Sequence, residues 1–495
     1  MPKWLLGFRG PLILLVGPSP TCNGSRSEGK SVFASFSASS ARGRGTARLA
    51  AGTLVAGLVA GLLTGAGTAR AAGGGTEPGQ GGATATIAGL KTYGTAVIRG
   101  AAQEQQIPAG LFEMSVEGGG TLQTYCIDIH TPTQQDARYR ETPWSGTSLA
   151  TNDNAGRIRW ILHHSYPQVN DLAALAEKAG VKGRLTEQDA AAGTQVAIWR
   201  YSDDVDVEAV DPQAEQLADY LEKNARDQPE PRASLTLDPP AVSGRPGEKL
   251  GPVTVRTNAS SVTVAPLTGT ATGEVRVVDQ DGKPVTSATD GSRLYFDVPE
   301  DAPADTARLT VHASTTVPVG RAFASESRSQ TQILAGSSES AVSATAAVSW
   351  SGQGAVPAVS ARENCAKGGV DVTVTNPGDT PFTIEVTGLR YTIGARESRT
   401  VTVPLSEDQA YDFTVSGPGG FAERFTGHLD CRTRAAELGT TTQTLSDPSP
   451  TPVITPDDTN LAATGASDAT AWIAGSAITL ALLGGAGLLL ARRRS

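Results

Sequence analysis

Cysteine is scarce in this chain of 495 residues, with four in all, and so are aromatic residues at 5% and charged residues at 18%. The net charge is −9 and no basic stripe is present, which argues against a nucleic-acid partner. The five histidines show no metal-ligand spacing, so neither a metal nor any other cofactor is expected. Lysine is outnumbered by arginine, as a GC-rich genome would leave it. What abounds is Gly, Thr, Ala and Val, the composition of secreted β-rich modules with long turns.

Both ends read as addresses. Arg42, Arg44 and Arg48 precede the apolar segment Leu49 to Leu63, and Ala69-Arg70-Ala71 supplies small residues for a signal peptidase. Residues 1–71 are therefore expected to be a leader with a secretory signal peptide. The signal starts late, and Pro11 to Val16 is too short to span a bilayer. Translation is expected to begin inside this region, at Val32 through an alternative start codon. At the other end, Leu461-Ala462-Ala463-Thr464-Gly465 is followed by the apolar stretch Ala469 to Leu490 and then Arg492-Arg493-Arg494. The stretch is long enough for a transmembrane helix, and the arginines would stay cytoplasmic. The order resembles a cell-wall sorting signal, with Ala462 where the usual pentapeptide has Pro, as in the LAxTG variant of high-GC actinobacteria. The resemblance implies that a sortase cuts between Thr464 and Gly465 and joins Thr464 to peptidoglycan. The mature protein would then be wall-anchored on the extracellular surface.

Cys22 falls in the leader, while Cys365 and Cys431 flank one β-rich module and are expected to pair in an oxidising exterior. Cys126 is left alone, and an odd cysteine in a secreted chain needs a reason.

Residues 73–83 read as a Gly-rich linker. From 84 to 123 polar and apolar residues alternate as strands, and four helices follow. The first carries Ile158, Ile161 and Leu162 on one face and stops at Tyr166-Pro167. The second ends at Gly180. The third starts at Thr186, with Asp189 completing a capping box, and the fourth opens on Asp211-Pro212. Residues 84–230 are thus expected to be an α+β domain. Residues 233–350 and 361–432 alternate in short runs and read as two all-β Ig-like sandwiches. In the first, Asp279-Gln280-Asp281-Gly282 signals a hairpin. In the second, the strand of Val370, Val372 and Val374 is expected to turn at Asn376-Pro377-Gly378-Asp379. It would return on its partner through Phe382, Ile384 and Val386. Residues 434–460 are a Thr/Ser/Pro-rich linker, and 461–495 the sorting signal. No Lys–Asn crosslink is expected at Lys249, Lys283 or Lys367.

Cys126 lies in Thr124-Tyr125-Cys126-Ile127-Asp128-Ile129-His130, a strand-like stretch. Gln195 lies in Thr194-Gln195-Val196-Ala197-Ile198-Trp199-Arg200-Tyr201, at the end of an Ala-rich helical run. Together the two motifs resemble the thioester domains of Gram-positive surface proteins, the TQxA family. The resemblance implies that Cys126 condenses with Gln195, expels ammonia and leaves a reactive internal thioester. A lysine amine on a surface target would then open it, leaving an amide bond. Such a chain is an adhesin used once, not an enzyme. Trp199 and Trp160 are candidates to cover the thioester, and Tyr125, Asp128 and Tyr201 to hydrogen-bond or move protons. Gly193 is expected to loosen the helix. Two other classes stay open: a cysteine hydrolase or transglutaminase using His130, His163 or His164, and a non-covalent adhesin or stalk with no thioester.

Overall fold

Thr186 starts the helix around which the first module is built. Its hydroxyl accepts from Asp189 N at 3.1 Å, and the Asp189 carboxylate accepts from Thr186 N at 2.9 Å. This closed capping box is worth about 1 kcal/mol. The helix, α3 (Glu187–Ser202), buries every residue from Ala190 to Trp199, so it has no solvent face along that stretch. The other helices are α1 (Ala155–His164), α2 (Leu172–Ala179) and α4 (Pro212–Asn224). Asp171 caps α2, and left-handed Gly180 ends it. Asp211 caps α4, with Pro212 in the first turn. Arg200 on α3 holds α4 through Glu215, Asp219 and Glu222 at 2.7–3.0 Å.

The computed structural model describes residues 81–99, 104–269 and 275–432, all within one of the chain's two compact units, which starts at Gly74. The leader, the 434–460 linker and the sorting signal with its apolar span lie outside the described residues. Among the described residues no helix is long and apolar enough to cross a membrane.

Gly193 does the opposite of loosening α3. A Cβ there would sit 2.4 Å from the Ala214 carbonyl oxygen, so the missing side chain is what lets α4 pack against α3. Gly193→Ala should cost about 1–3 kcal/mol from overpacking, outweighing the ~1 kcal/mol gained in helix propensity. Thermal melts would check this, and a raised Tm would mean that α4 simply moves aside.

Against α3 lies a sheet of β1 (Thr84–Ile98), β2 (Gln105–Val116), β3 (Thr121–Cys126), β4 (Arg138–Thr142), β5 (Val207–Ala209), β6 (Ala322–Ser325) and β7 (Gln332–Ser337). Its order is β2-β3-β7-β6-β4-β1-β5, and β2 also pairs with β1, so six antiparallel strands close a circuit. Closure leaves β3 without a free edge. The strands β6 and β7 correct the expected division: they fall within 233–350, yet they join the first module's sheet, between β4 and the strand of Cys126.

The remaining strands of that region form two sheets. One pairs Asp305–Thr316 with Glu339–Trp350 over twelve residues; the other contains Leu235–Asp238, Lys249–Thr257, Arg276–Val278 and Arg293–Asp297. The expected turn is present, with Gly282 N donating to the Asp279 oxygen at 3.1 Å. Gly81–Gly82, expected in the linker, instead pairs with Glu339–Trp350. First module and sandwich share one continuous hydrophobic core.

A third module has its own core, between a sheet of Ala358–Asn364, Gly369–Asn376 and Glu397–Pro404 and a sheet of Phe382–Val386, Leu389–Ile393, Gln409–Ser416 and Ala422–Leu429. The hairpin expected at 376–379 is therefore an arch: Gly369–Asn376 and Phe382–Val386 lie in opposite sheets. Buried Asn376 fixes it. Its side-chain oxygen accepts from Val356 N and Gly378 N, and its Nδ2 donates to the carbonyls of Thr380 and Gly394. Local alternation marks both strands but cannot say which sheet each enters. The Cys365–Cys431 disulfide is formed, and with Leu429 it packs beside Ala150 of the first module.

Candidate functional site

Cys126 ends β3 and is fully buried, as is Gln195 in the middle of α3. The two are joined by a reciprocal pair of hydrogen bonds. Cys126 N donates to Gln195 Oε1 at 3.0 Å, and Gln195 Nε2 donates to the Cys126 carbonyl at 2.9 Å. The carboxamide thus binds the cysteine backbone as a neighbouring strand would, with its oxygen on a backbone N–H. One turn further along α3, Trp199 is wholly buried. Two turns on, Asp203 Oδ1 accepts from Ile129 N at 3.0 Å. The helix therefore grips the cysteine loop at two points, which fixes the loop's approach.

The second flank comes from β7. Gln332 stands directly opposite Cys126 in the ladder, so the two side chains share a face. Gln332 Nε2 donates to Cys126 Sγ at 3.3 Å, and Thr124 Oγ1 donates to Gln332 Oε1 at 3.0 Å. Thr133 Oγ1 accepts from Gln330 Nε2 at 2.6 Å and from Gln332 Nε2 at 3.4 Å. Burial pushes the Cys126 thiol well up, while hydrogen bonds from Gln332 and Thr133 pull it partly back. The thiol is neutral at physiological pH.

The expected supporting residues separate. Tyr125 is buried, and its hydroxyl donates to the Tyr166 carbonyl at 2.8 Å, so it braces β3 against the end of α1. Asp128 caps its own loop, accepting from His130 N and Thr131 N. Its other oxygen is buried with no hydrogen-bond partner among the described residues. Burial raises the Asp128 carboxyl, and burial together with Asp128 raises Asp203 well above the carboxylate range. Burial, then Asp128, lifts half-buried Asp430 of the third module to about 7; it accepts from Thr331 Oγ1 at 2.8 Å. Tyr201 is not part of the site: its hydroxyl donates to the Glu222 carbonyl on α4, and Arg157 lies over its ring. Trp160 stacks on His164 at 3.8 Å. Among the described residues no histidine hydrogen-bonds Cys126, so no thiol–imidazole pair is built here; burial lowers His130 and His163.

Gln332, Thr133 and Asp203 escaped sequence reading. The available signal was Ser329-Gln330-Thr331-Gln332, a polar run leading straight into Ile333-Leu334-Ala335, and all seven residues are buried.

Residues 123–227 match the family model of the thioester domain. The chain carries a thioester domain. The match to that domain spans Cys126 and Gln195 and stops well before β6 and β7. A second match, to the C-terminal domain of bacterial phospholipase C, covers residues 357–428. No curated protein matches the chain. Among solved structures, the Bacillus anthracis TIE protein is similar at 15% identity and a TM-score of 0.26, over 70% of this chain and 64% of that one. The chain thus spans less than two thirds of that protein. The thioester domain of the Enterococcus faecium TIE86 protein is similar at 14% identity and a TM-score of 0.26, over 54% of this chain and 96% of that one.

Proposed function

We propose that this chain is a surface-displayed adhesin in which Cys126 and Gln195 form an internal thioester that captures amines covalently. The observation that carries the reading is the reciprocal hydrogen bonding between the Gln195 carboxamide and the Cys126 backbone inside a dry site. Proximity makes the attack of Sγ on Gln195 Cδ intramolecular. Cys126 N–H already points at the oxygen that carries negative charge in the tetrahedral intermediate. The S–C bond forms, the C–N bond breaks, and the thiol proton leaves with the nitrogen as ammonia. An attacking lysine amine reverses the roles: its nitrogen bonds Cδ, the S–C bond breaks, and the sulfur recovers a proton from the amine. The product is an amide that does not dissociate, so each molecule acts once and the protein is not an enzyme.

Around this tip the β-rich modules fit an Ig-like stalk. Leu461-Ala462-Ala463-Thr464-Gly465, the apolar span and the terminal arginines support export, sortase processing and attachment of Thr464 to peptidoglycan. The target is an amine-bearing surface of unspecified identity.

Intact mass decides the central claim. Purified full chain should be lighter by one ammonia, and methylamine should add one adduct, at Gln195. Cys126→Ala should show the full calculated mass and take up nothing. A full-mass parent that ignores methylamine would leave a non-covalent surface protein.

A further inference from the structure

We infer that Gln332 is a catalytic residue of the thioester: its amide N–H holds the Cys126 sulfur and stabilises it as the leaving thiolate when an amine attacks. The inference rests on the thioester reading and adds a residue that lies outside the segment matched to the thioester domain. Three observations carry it. The ladder places Gln332 directly across from Cys126, on the same face. Its amide oxygen accepts from Thr124 Oγ1 at 3.0 Å, on the side away from the sulfur, which leaves Nε2 facing Sγ, 3.3 Å away. Finally, Gln332 is wholly buried, so bulk water does not reach that donor, whose other hydrogen bond goes to Thr133 Oγ1 at 3.4 Å.

The chemistry needs such a donor. When the amine nitrogen bonds Gln195 Cδ, the electron pair of the S–C bond passes to Sγ in a fully buried site. A thiolate formed there without a hydrogen bond is costly. Gln332 supports the charge without giving up its proton; the sulfur takes its proton from the attacking amine. Cys126 N–H serves the oxygen of the same carbon, so the two donors divide the work: one holds the oxyanion, the other the departing sulfur. The second comes from a strand that lies in sequence between two paired strands of the sandwich, Asp305–Thr316 and Glu339–Trp350, yet joins the first module's sheet.

The test separates this inference from the reading beneath it. In the parent chain, a mass short by one ammonia and a methylamine adduct establish the thioester; their absence overturns both. In Gln332→Leu the thioester should still form, while methylamine capture slows by about 10–100-fold, the worth of a hydrogen bond to a charged group. Hydrolysis in buffer should slow by the same factor, since water expels the same leaving group. Simple loosening of the site would admit water and speed hydrolysis. Capture at the parental rate, or faster hydrolysis, would overturn the inference. Gln332→Glu gives an independent arm for the case in which the leucine variant fails to fold or to close the ring. Its capture rate relative to the parent should fall as pH rises and the carboxyl loses the proton it offers to sulfur. A ratio unchanged with pH would also overturn it.

Discussion

Methylamine-treated protein is expected to be less stable than untreated protein by about 4 kcal/mol, the loop-closure contribution of a crosslink spanning 69 residues. In that estimate the bond acts mainly on the unfolded chain. A ring from Cys126 to Gln195 ties the end of β3 to the centre of α3 and so restricts everything between, including α1 and α2. Methylamine opens the ring yet leaves a substituted carboxamide where the structure already accommodates one. The folded state changes little and the unfolded state gains freedom. Denaturant melts of the same sample before and after treatment measure the difference. Cys126→Ala, which never closes the ring, should melt with the treated parent and not respond to methylamine. If treated and untreated protein melt together, the ring is either absent or irrelevant to unfolding, and intact mass tells which.

Arg321→Met should destabilise the chain by about 3–5 kcal/mol, because it strips the partner from a buried carboxylate. Arg321 and Glu141 have side chains only 4% and 0% exposed, with Nε 2.9 Å from the Glu141 carboxylate. Arg321 Nη1 also donates to Glu230 at 2.6 Å and to the Pro231 carbonyl. Glu141 further accepts from Ala83 N, Ser234 N and the Ser234 hydroxyl. One ion pair thus ties β4, the chain entering the sandwich and the residue just before β6. Adding Glu141→Gln to Arg321→Met should recover part of the loss, since the orphaned charge is then gone. Equal melts for the single variant and the parent would show that solvent reaches Glu141 readily.

Much of the local structure was legible because its determinants are local. Thr186 with Asp189, Asp211 with Pro212, and Gly180 each set a helix end within three or four residues, and the structure has all three. Cys126 and Gln195 stood out because each sits in a short motif, and they do meet. Gln332 did not, because its role comes from pairing with a strand over 200 residues earlier, and nothing in the alternation of 332–337 names that partner. The hairpin expected at Asn376 is an arch for the same reason: period-two patterning marks a strand but not its sheet. Tyr201 failed differently. It lies within the Gln195 motif, but six residues on turn it toward α4 and away from the cysteine.

The disulfide of the third module has a mechanical consequence. It joins Cys365, just after that module's first strand, to Cys431, just beyond its last, 66 residues apart in sequence and 5.1 Å apart between Cα atoms. Tension along the backbone would therefore cross the module through sulfur and leave the residues between unloaded. Fully drawn out, that segment would add roughly 220 Å of contour length, at about 3.4 Å per residue. With the bond in place, a pull loads only the first strand, Ala358–Asn364, and the 66-residue loop behind the sulfurs cannot lengthen.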